Sequence, residues 1–160
     1  EECVRIGRLL ADEALRLVAA APLQENPALF CGSTTIEFPI ENEMLRTVVK
    51  LSPLDFQLSD RNTIATQVNV VNLGTAQILT IPGEALPNIG FYLKRQMHGE
   101  HNLLFGLTND AFGYILTKED WNSFERYDYI TRTCLGEKTG EILIEEALEF
   151  VNQCPRPAGR

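Results

Sequence analysis

Three short stretches carry residue types that could do chemistry. The first is ILTIPGEALPNIGFYLKRQ, residues 78–96, where a run of strand character meets Pro82-Gly83-Glu84 and a helical pattern follows. A carboxylate at that junction has two readings. In the first turn of a helix, Glu84 would gain about 0.3–1 kcal/mol from the helix dipole. At the end of a strand, Pro82 would stiffen the approach and Gly83 would leave room for a ligand or a second backbone. Glu84 would then be a metal ligand at the lip of a sheet, where sites in α/β folds gather.

The second stretch is HGEH, residues 98–101. His98, Glu100 and His101 are donors that suit zinc. A helical ligand pair needs i, i+4 spacing, however, and here the spacing is three with Gly99 between. The stretch reads as a solvated helix C-terminus, where His also suits the dipole. The third is GLTNDAFGYILT, residues 106–117. Asn109-Asp110 and Gly113-Tyr114 read as a turn between strands. The chain has no GxSxG elbow and no phosphate-cradling glycine loop. Neither histidine has an evident orienting partner for Cys–His catalysis.

Elements that would position these residues follow from periodicity. Residues 1–21 spell an amphipathic helix, with Cys3, Ile6, Leu10, Ala14, Leu17 and Val18 on one face and Arg5, Arg8, Asp12, Glu13 and Arg16 on the other. Residues 33–40 alternate as a strand, which Pro39 assigns to an edge or a bend. Residues 41–63 show no clean period and read as irregular structure with a short helical turn. A hairpin follows over 64–81 with its turn at Asn72-Leu73-Gly74. The spacing predicts a helix over 84–97, with Pro87 tolerable in its first turn and Gly99 as its stop. Residues 103–107 read as a buried strand, YILT (114–117) as another, KEDWNSFERY (118–127) as a helical turn and YDYITRT (127–133) as a strand. A helix from about Thr139 to Asn152 ends the pattern, and CPRPAGR reads as a frayed tail. The expected fold class is mixed α/β or α+β, a mixed sheet with flanking helices.

Composition bounds the function. A chain of 160 residues with 44% hydrophobic and 22% charged residues holds one domain with a real core. No run approaches the roughly 20 apolar residues of a membrane span. A net charge of −8 without a basic cluster argues against sequence-independent nucleic-acid binding. Cys3, Cys31, Cys134 and Cys154 match neither a zinc ribbon nor a CxxC motif. Free buried thiols and a Cys3–Cys154 pair both remain open. The chain opens inside a helix without a Met, and it is expected to be a fragment of a longer polypeptide.

Taken in order, RIGRLLADEALRLV, the hairpin, IPGEALPNIGFYLKR, LLFGLTNDAFGYILTKEDW and YDYITRTCLGEKTGE resemble the back half of the catalytic domain of the neutral/alkaline non-lysosomal ceramidase family, over residues 1 to 150. The Pro-Gly-Glu turn and the Asn-x-x-x-Gly-Tyr loop carry the resemblance together. It implies that residues 1–152 are the C-terminal portion of a ceramidase-like catalytic domain, with 153–160 a tail. In that family two histidines, a glutamate and a tyrosine hold zinc. Glu84 matches the glutamate and Tyr114 is the phenol that remains, whereas the two histidines lie upstream of this chain's first helix and His98 and His101 match neither. Ala111 stands where relatives often carry a first tyrosine, and Trp121 where many carry another. The implied reaction is attack of zinc-activated water on the amide of an N-acyl sphingolipid, giving a fatty acid and a long-chain base. The implied partners are a lipid-like amide substrate and the upstream remainder of the polypeptide, and the implied location is secreted or extracytoplasmic. Two rival expectations are a non-catalytic ceramidase-like scaffold and a hydrolase of the same fold acting on another amide or ester.

Overall fold

The structure is a computed structural model that describes residues 1–54, 56 and 58–158. The chain runs α1 (Glu2–Ala20), β1 (Leu29–Pro39), α2 (Glu43–Leu51), β2 (Thr63–Leu73), β3 (Ala76–Thr80), β4 (Glu84–Ala85), α3 (Pro87–Gln96), β5 (His101–Phe105), β6 (Tyr114–Ile115), a 3-10 turn (Glu125–Tyr127), α4 (Asp128–Arg132) and α5 (Thr139–Gln153). Strands β1, β2, β3 and β5 form a mixed sheet in that order, and β4 pairs with β6 in a second, two-stranded sheet. The fold is therefore mixed α/β, as the patterning implied.

Strand alternation builds the core. Ile36 and Phe38 of β1, Val68 and Val70 of β2, and Leu79 of β3 are fully buried. Helix α5 lies across this face of β1 and β2, and α3 packs against both α5 and β5. Leu93 of α3 and Leu143, Ala147 and Val151 of α5 close the layer. Two neutral polar groups are buried with them and are paired: Gln77 Nε2 donates to Asn72 Oδ1 at 3.0 Å, and Asn72 Nδ2 donates to the Pro155 carbonyl at 2.7 Å. The tail expected to fray is thus tied down at its start, where Cys154 is buried.

β1 is an edge strand that ends at Pro39, so the missing N–H costs no ladder bond. It begins at Leu29, four residues ahead of the alternation read from sequence. The hairpin turn is Gly74-Thr75 rather than Asn72-Leu73-Gly74, because Leu73 pairs with Ala76 and Asn72 is spent inside the ladder. β5 runs parallel to β3 and forms the other edge, with Leu103 and Phe105 largely exposed rather than buried.

Three expectations give way. The irregular stretch after Pro39 holds the nine-residue helix α2, whose N-cap Asn42 accepts hydrogen bonds from the Met44 and Leu45 N–H groups at 3.0 and 3.3 Å. The strand read over residues 127–133 is helical. Asp128 and Arg132 form an i, i+4 ion pair at 2.7 Å, and the β-propensity of Tyr-Ile-Thr yields to that context. The helix expected from Glu84 starts instead at Pro87, the first helical position, and Glu84 lies in β4.

The four cysteines are free thiols; Cys3 and Cys31 are exposed, Cys134 and Cys154 buried. Burial raises the Cys154 thiol above its ordinary pKa and so disfavours its reactive thiolate. Asn42 does further work, because its Nδ2 donates to the Arg132 and Cys134 carbonyls at 2.6 and 3.1 Å. Asn42→Ala removes a cap and two tertiary bonds, and is expected to cost about 2 kcal/mol in urea unfolding. A thiol reagent is expected to label two cysteines quickly under native conditions, and all four only after denaturation.

Candidate functional site

The parallel strands β3 and β5 both end toward Pro82-Gly83-Glu84 and the Gly106–Gly113 loop. Main-chain bonds lace the two segments together. The Leu107 and Thr108 N–H groups donate to the Gly83 and Ile81 carbonyls at 3.0 and 3.1 Å. Phe112 N–H donates to Pro82 O, and Glu84 N–H donates to Gly113 O, both at 2.9 Å. The Pro-Gly-Glu turn is therefore held by polypeptide on two sides. A Cβ on Gly83 would lie 2.5 Å from the Gly113 carbonyl oxygen, so only glycine permits this approach. Gly113 has φ +81°, and a Cβ there would lie 2.1 Å from the Thr133 carbonyl oxygen.

The loop itself is anchored to β2 beyond the end of β3. Asn109 Nδ2 donates to the Gln67 carbonyl at 2.8 Å and to Asn69 Oδ1 at 2.6 Å, while the Thr66 hydroxyl donates to the Asp110 carboxylate. Leu107 and Asn109 take positive φ (52° and 73°), which for leucine is a strained conformation that the surrounding bonds must hold. The Asn109-Asp110 turn is thus part of the mechanical frame of the site. Its side chains are spent on β2.

Glu84 and Tyr114 are register partners across the β4–β6 pair. Adjacent strands lie about 4.8 Å apart and paired residues share a face, so the carboxylate and the phenol start side by side. Glu84 is exposed, Tyr114 half-buried, and the Tyr114 ring stands edge-on to Tyr129 at 5.9 Å between centroids. Among the described residues neither Glu84 nor Tyr114 uses its side-chain oxygens in a hydrogen bond or ion pair.

The histidines lie elsewhere. His98 follows α3 and its Nε2 meets Asn152 Oδ1 at 3.0 Å, and His101 opens β5 opposite Ala76. Four strand steps, about 13 Å, separate His101 from the end of β5 that faces the Pro-Gly-Glu turn. Among the described residues no group of three or more His, Cys, Asp or Glu side chains is placed to hold a metal ion. An ordinary zinc site has four ligands, usually including nitrogen or sulfur. Glu84 and Tyr114 supply at most two oxygen donors toward such a set.

Beside the clamp lies a groove of about 610 Å³, walled by Leu45, Val48 and Val49 of α2, Phe56, and the loop from Leu107 to Gly113. Glu84 and Tyr114 do not line it. Ala111 does, and a tyrosine there would project where the groove now opens. Residue patterning missed this wall because α2 was not read as a helix, although Leu45, Val48 and Val49 at steps of three and one after a capping Asn42 were a usable signal.

No protein-family model and no curated protein matches this sequence. Solved structures that resemble part of the fold include two ceramidases. One is the neutral ceramidase from Pseudomonas aeruginosa, at 17% identity and TM-score 0.45 over 61% of this chain. The other is a ceramidase complexed with C2, at 13% identity and TM-score 0.45 over 77% of this chain. The matched parts amount to 17% and 21% of those chains, so this chain spans a small share of their length.

The geometry predicts opposite behaviour for adjacent residues. Gly83→Ala forces the two segments apart and is expected to destabilise the protein by about 2–4 kcal/mol, within the range of overpacking and strain. Glu84→Gln alters an exposed, unbonded side chain and is expected to change stability by less than about 0.5 kcal/mol. Thermal or denaturant unfolding of both variants checks this.

Proposed function

We propose that this chain is a portion of a zinc-dependent amide hydrolase of the neutral ceramidase type, with Glu84 and Tyr114 as two of its metal ligands. The observation that carries the reading is the register pairing of those two residues on a strand pair locked by Gly83 and Gly113. A clamp this tight around an otherwise unengaged carboxylate is costly as mere packing, and pre-organisation of a ligand accounts for it. The Pro-Gly-Glu and Asn-x-x-x-Gly-Tyr stretches that carry the family resemblance are the same two segments.

Zinc, when bound, supplies a Lewis acid that activates water and polarises a carbonyl. This chain's share is positional. Main-chain bonds on both sides fix the carboxylate's origin, so little conformational entropy is lost when it takes a ligand. The phenol is oriented by the edge contact with Tyr129. The remaining donors, nitrogens in this reading, come from polypeptide outside these 160 residues. The substrate class is an N-acyl sphingolipid such as ceramide, cleaved to a fatty acid and a long-chain base.

A second reading is a scaffold of the same fold without catalysis. Ala111 favours it, because an exposed methyl at the groove offers no proton or ligand where relatives often carry a phenol. Zinc content separates the two. The natural-length protein is expected to bind about one zinc per chain. Glu84→Gln is expected to lower that occupancy at least tenfold at limiting zinc, and Tyr114→Phe less severely. Unchanged stoichiometry in Glu84→Gln removes the acid from the ligand set. These 160 residues alone are expected to show no hydrolysis of a fluorogenic ceramide analogue, and turnover by them would contradict the incomplete site.

A further inference from the structure

The groove beside the Gly83–Gly113 crossing has no part in the zinc reading, because neither Glu84 nor Tyr114 lines it. Its volume is about 610 Å³. Small-molecule sites span roughly 300–1,000 Å³. Carbon dominates its walls, with Leu45, Val48 and Val49 of α2 on one side and Leu107, Ala111 and Phe112 on the other. Leu45 and Val49, one turn apart, pack against the core, and Val48 beside them is left at the groove. Val48 and Leu107 are 56% and 55% exposed, and Leu54 at the same groove is 64% exposed. Apolar side chains left uncovered around one concavity mark a place where such surface is buried on binding.

The polar side chains in the wall are already engaged within the chain. Asn109 Nδ2 spends both hydrogens, on Gln67 O and Asn69 Oδ1, and the Thr133 hydroxyl donates to the Tyr129 carbonyl at 2.9 Å. Ser52 Oγ accepts from Leu54 N–H at 3.1 Å. One Asp110 oxygen accepts from the Thr66 hydroxyl, and among the described residues nothing donates to the other. The wall thus keeps a charged acceptor and has few hydrogens left to give.

No cation answers that carboxylate from the wall. Among the described residues no lysine or arginine lines the groove. Arg46 of α2 turns its guanidinium to Glu43 and to the Ile40 carbonyl, both at 2.9 Å. Lys50 lines a neighbouring hollow of about 410 Å³. The chain as a whole carries −8.

These constraints select the occupant. A wholly apolar molecule would strip water from the Asp110 carboxylate and return nothing. An anion, a fatty acid included, would meet that carboxylate and the net charge of the chain. An extended peptide brings N–H and C=O groups that carbon walls cannot pair. A cation carried on an alkyl chain satisfies both parts of the groove. The chain covers the carbon, and the head donates to the acid.

We propose that the groove binds a single-chain amphiphile with a primary ammonium head, its chain along the α2 wall and its head at Asp110. The assignment rests on the groove and not on the zinc reading. Ala111 sets the room available, because a larger side chain there would project where the groove opens.

Calorimetric titration with dodecylamine, dodecanol and dodecanoate, each below its micelle concentration at neutral pH, tests this. The chain is constant across the three and only the head changes. Dodecylamine is expected to bind at one saturable site, at least about tenfold tighter than dodecanol, with dodecanoate weakest. Asp110→Asn keeps an oxygen for the Thr66 hydroxyl and is expected to erase the preference for the amine. Ala111→Tyr is expected to weaken dodecylamine at least about tenfold by filling the groove. Val48→Gln, at an exposed position, makes the same test without a burden on the fold, and circular dichroism checks the fold of each variant. No saturable dodecylamine binding, an amine preference that survives Asp110→Asn, or affinity untouched by both wall variants would each overturn the proposal. So would a dimer that Val48→Gln abolishes, which would give the groove to a second copy. Zinc occupancy is expected to be unaffected by Val48→Gln, so the two readings fail separately.

Discussion

The close approach of Gly83 to Gly113 is the constraint on which the rest of the site depends. Two carbonyls, Gly113 and Thr133, occupy the space where side chains would otherwise stand. That contact lets β4 and β6 pair at all, although each is only two residues long. A pair so short has no independent stability in water. It persists because bonds from Leu107 and Thr108 on one side and Phe112–Ile115 on the other hold both strands. The Asn109 amide then fastens the intervening loop to β2. The loop's positive φ angles show that this frame holds backbone strain.

What the frame presents is modest: one carboxylate and one phenol, side by side and unengaged among the described residues. Neither faces the apolar groove beside α2. Such a pair cannot complete a zinc site, and the histidines of this chain sit at the far end of β5.

Legibility from the sequence followed the length of the pattern. α1, α5 and the hairpin repeat their periods over many residues, so their existence could be read. α3 could be read too, but its start could not, because Pro87 rather than Glu84 opens the helix. β6 falls within YILT, which the patterning read as a strand, whereas β4 is too short to carry any period. Gly83 marked a close approach there, but a glycine does not say which backbone it approaches. The segment 127–133 misled because aromatic and β-branched residues favour strands until an ion pair such as Asp128–Arg132 and local context decide otherwise. Burial was the least legible property. The α1 stripe predicted a packed helix, whereas every residue of α1 is exposed.

The most direct test of the central claim is the geometry at Glu84 in the natural-length protein loaded with zinc. A crystal structure, or X-ray absorption compared between the native protein and Glu84→Gln, resolves the atoms bound to the metal. The account predicts a Glu84 carboxylate oxygen at about 2.0–2.2 Å from zinc, the Tyr114 oxygen in the same shell, and imidazole nitrogens from outside residues 1–160 filling the remainder. Zinc held with Glu84 still turned to solvent, or a shell unchanged by Glu84→Gln, would contradict it.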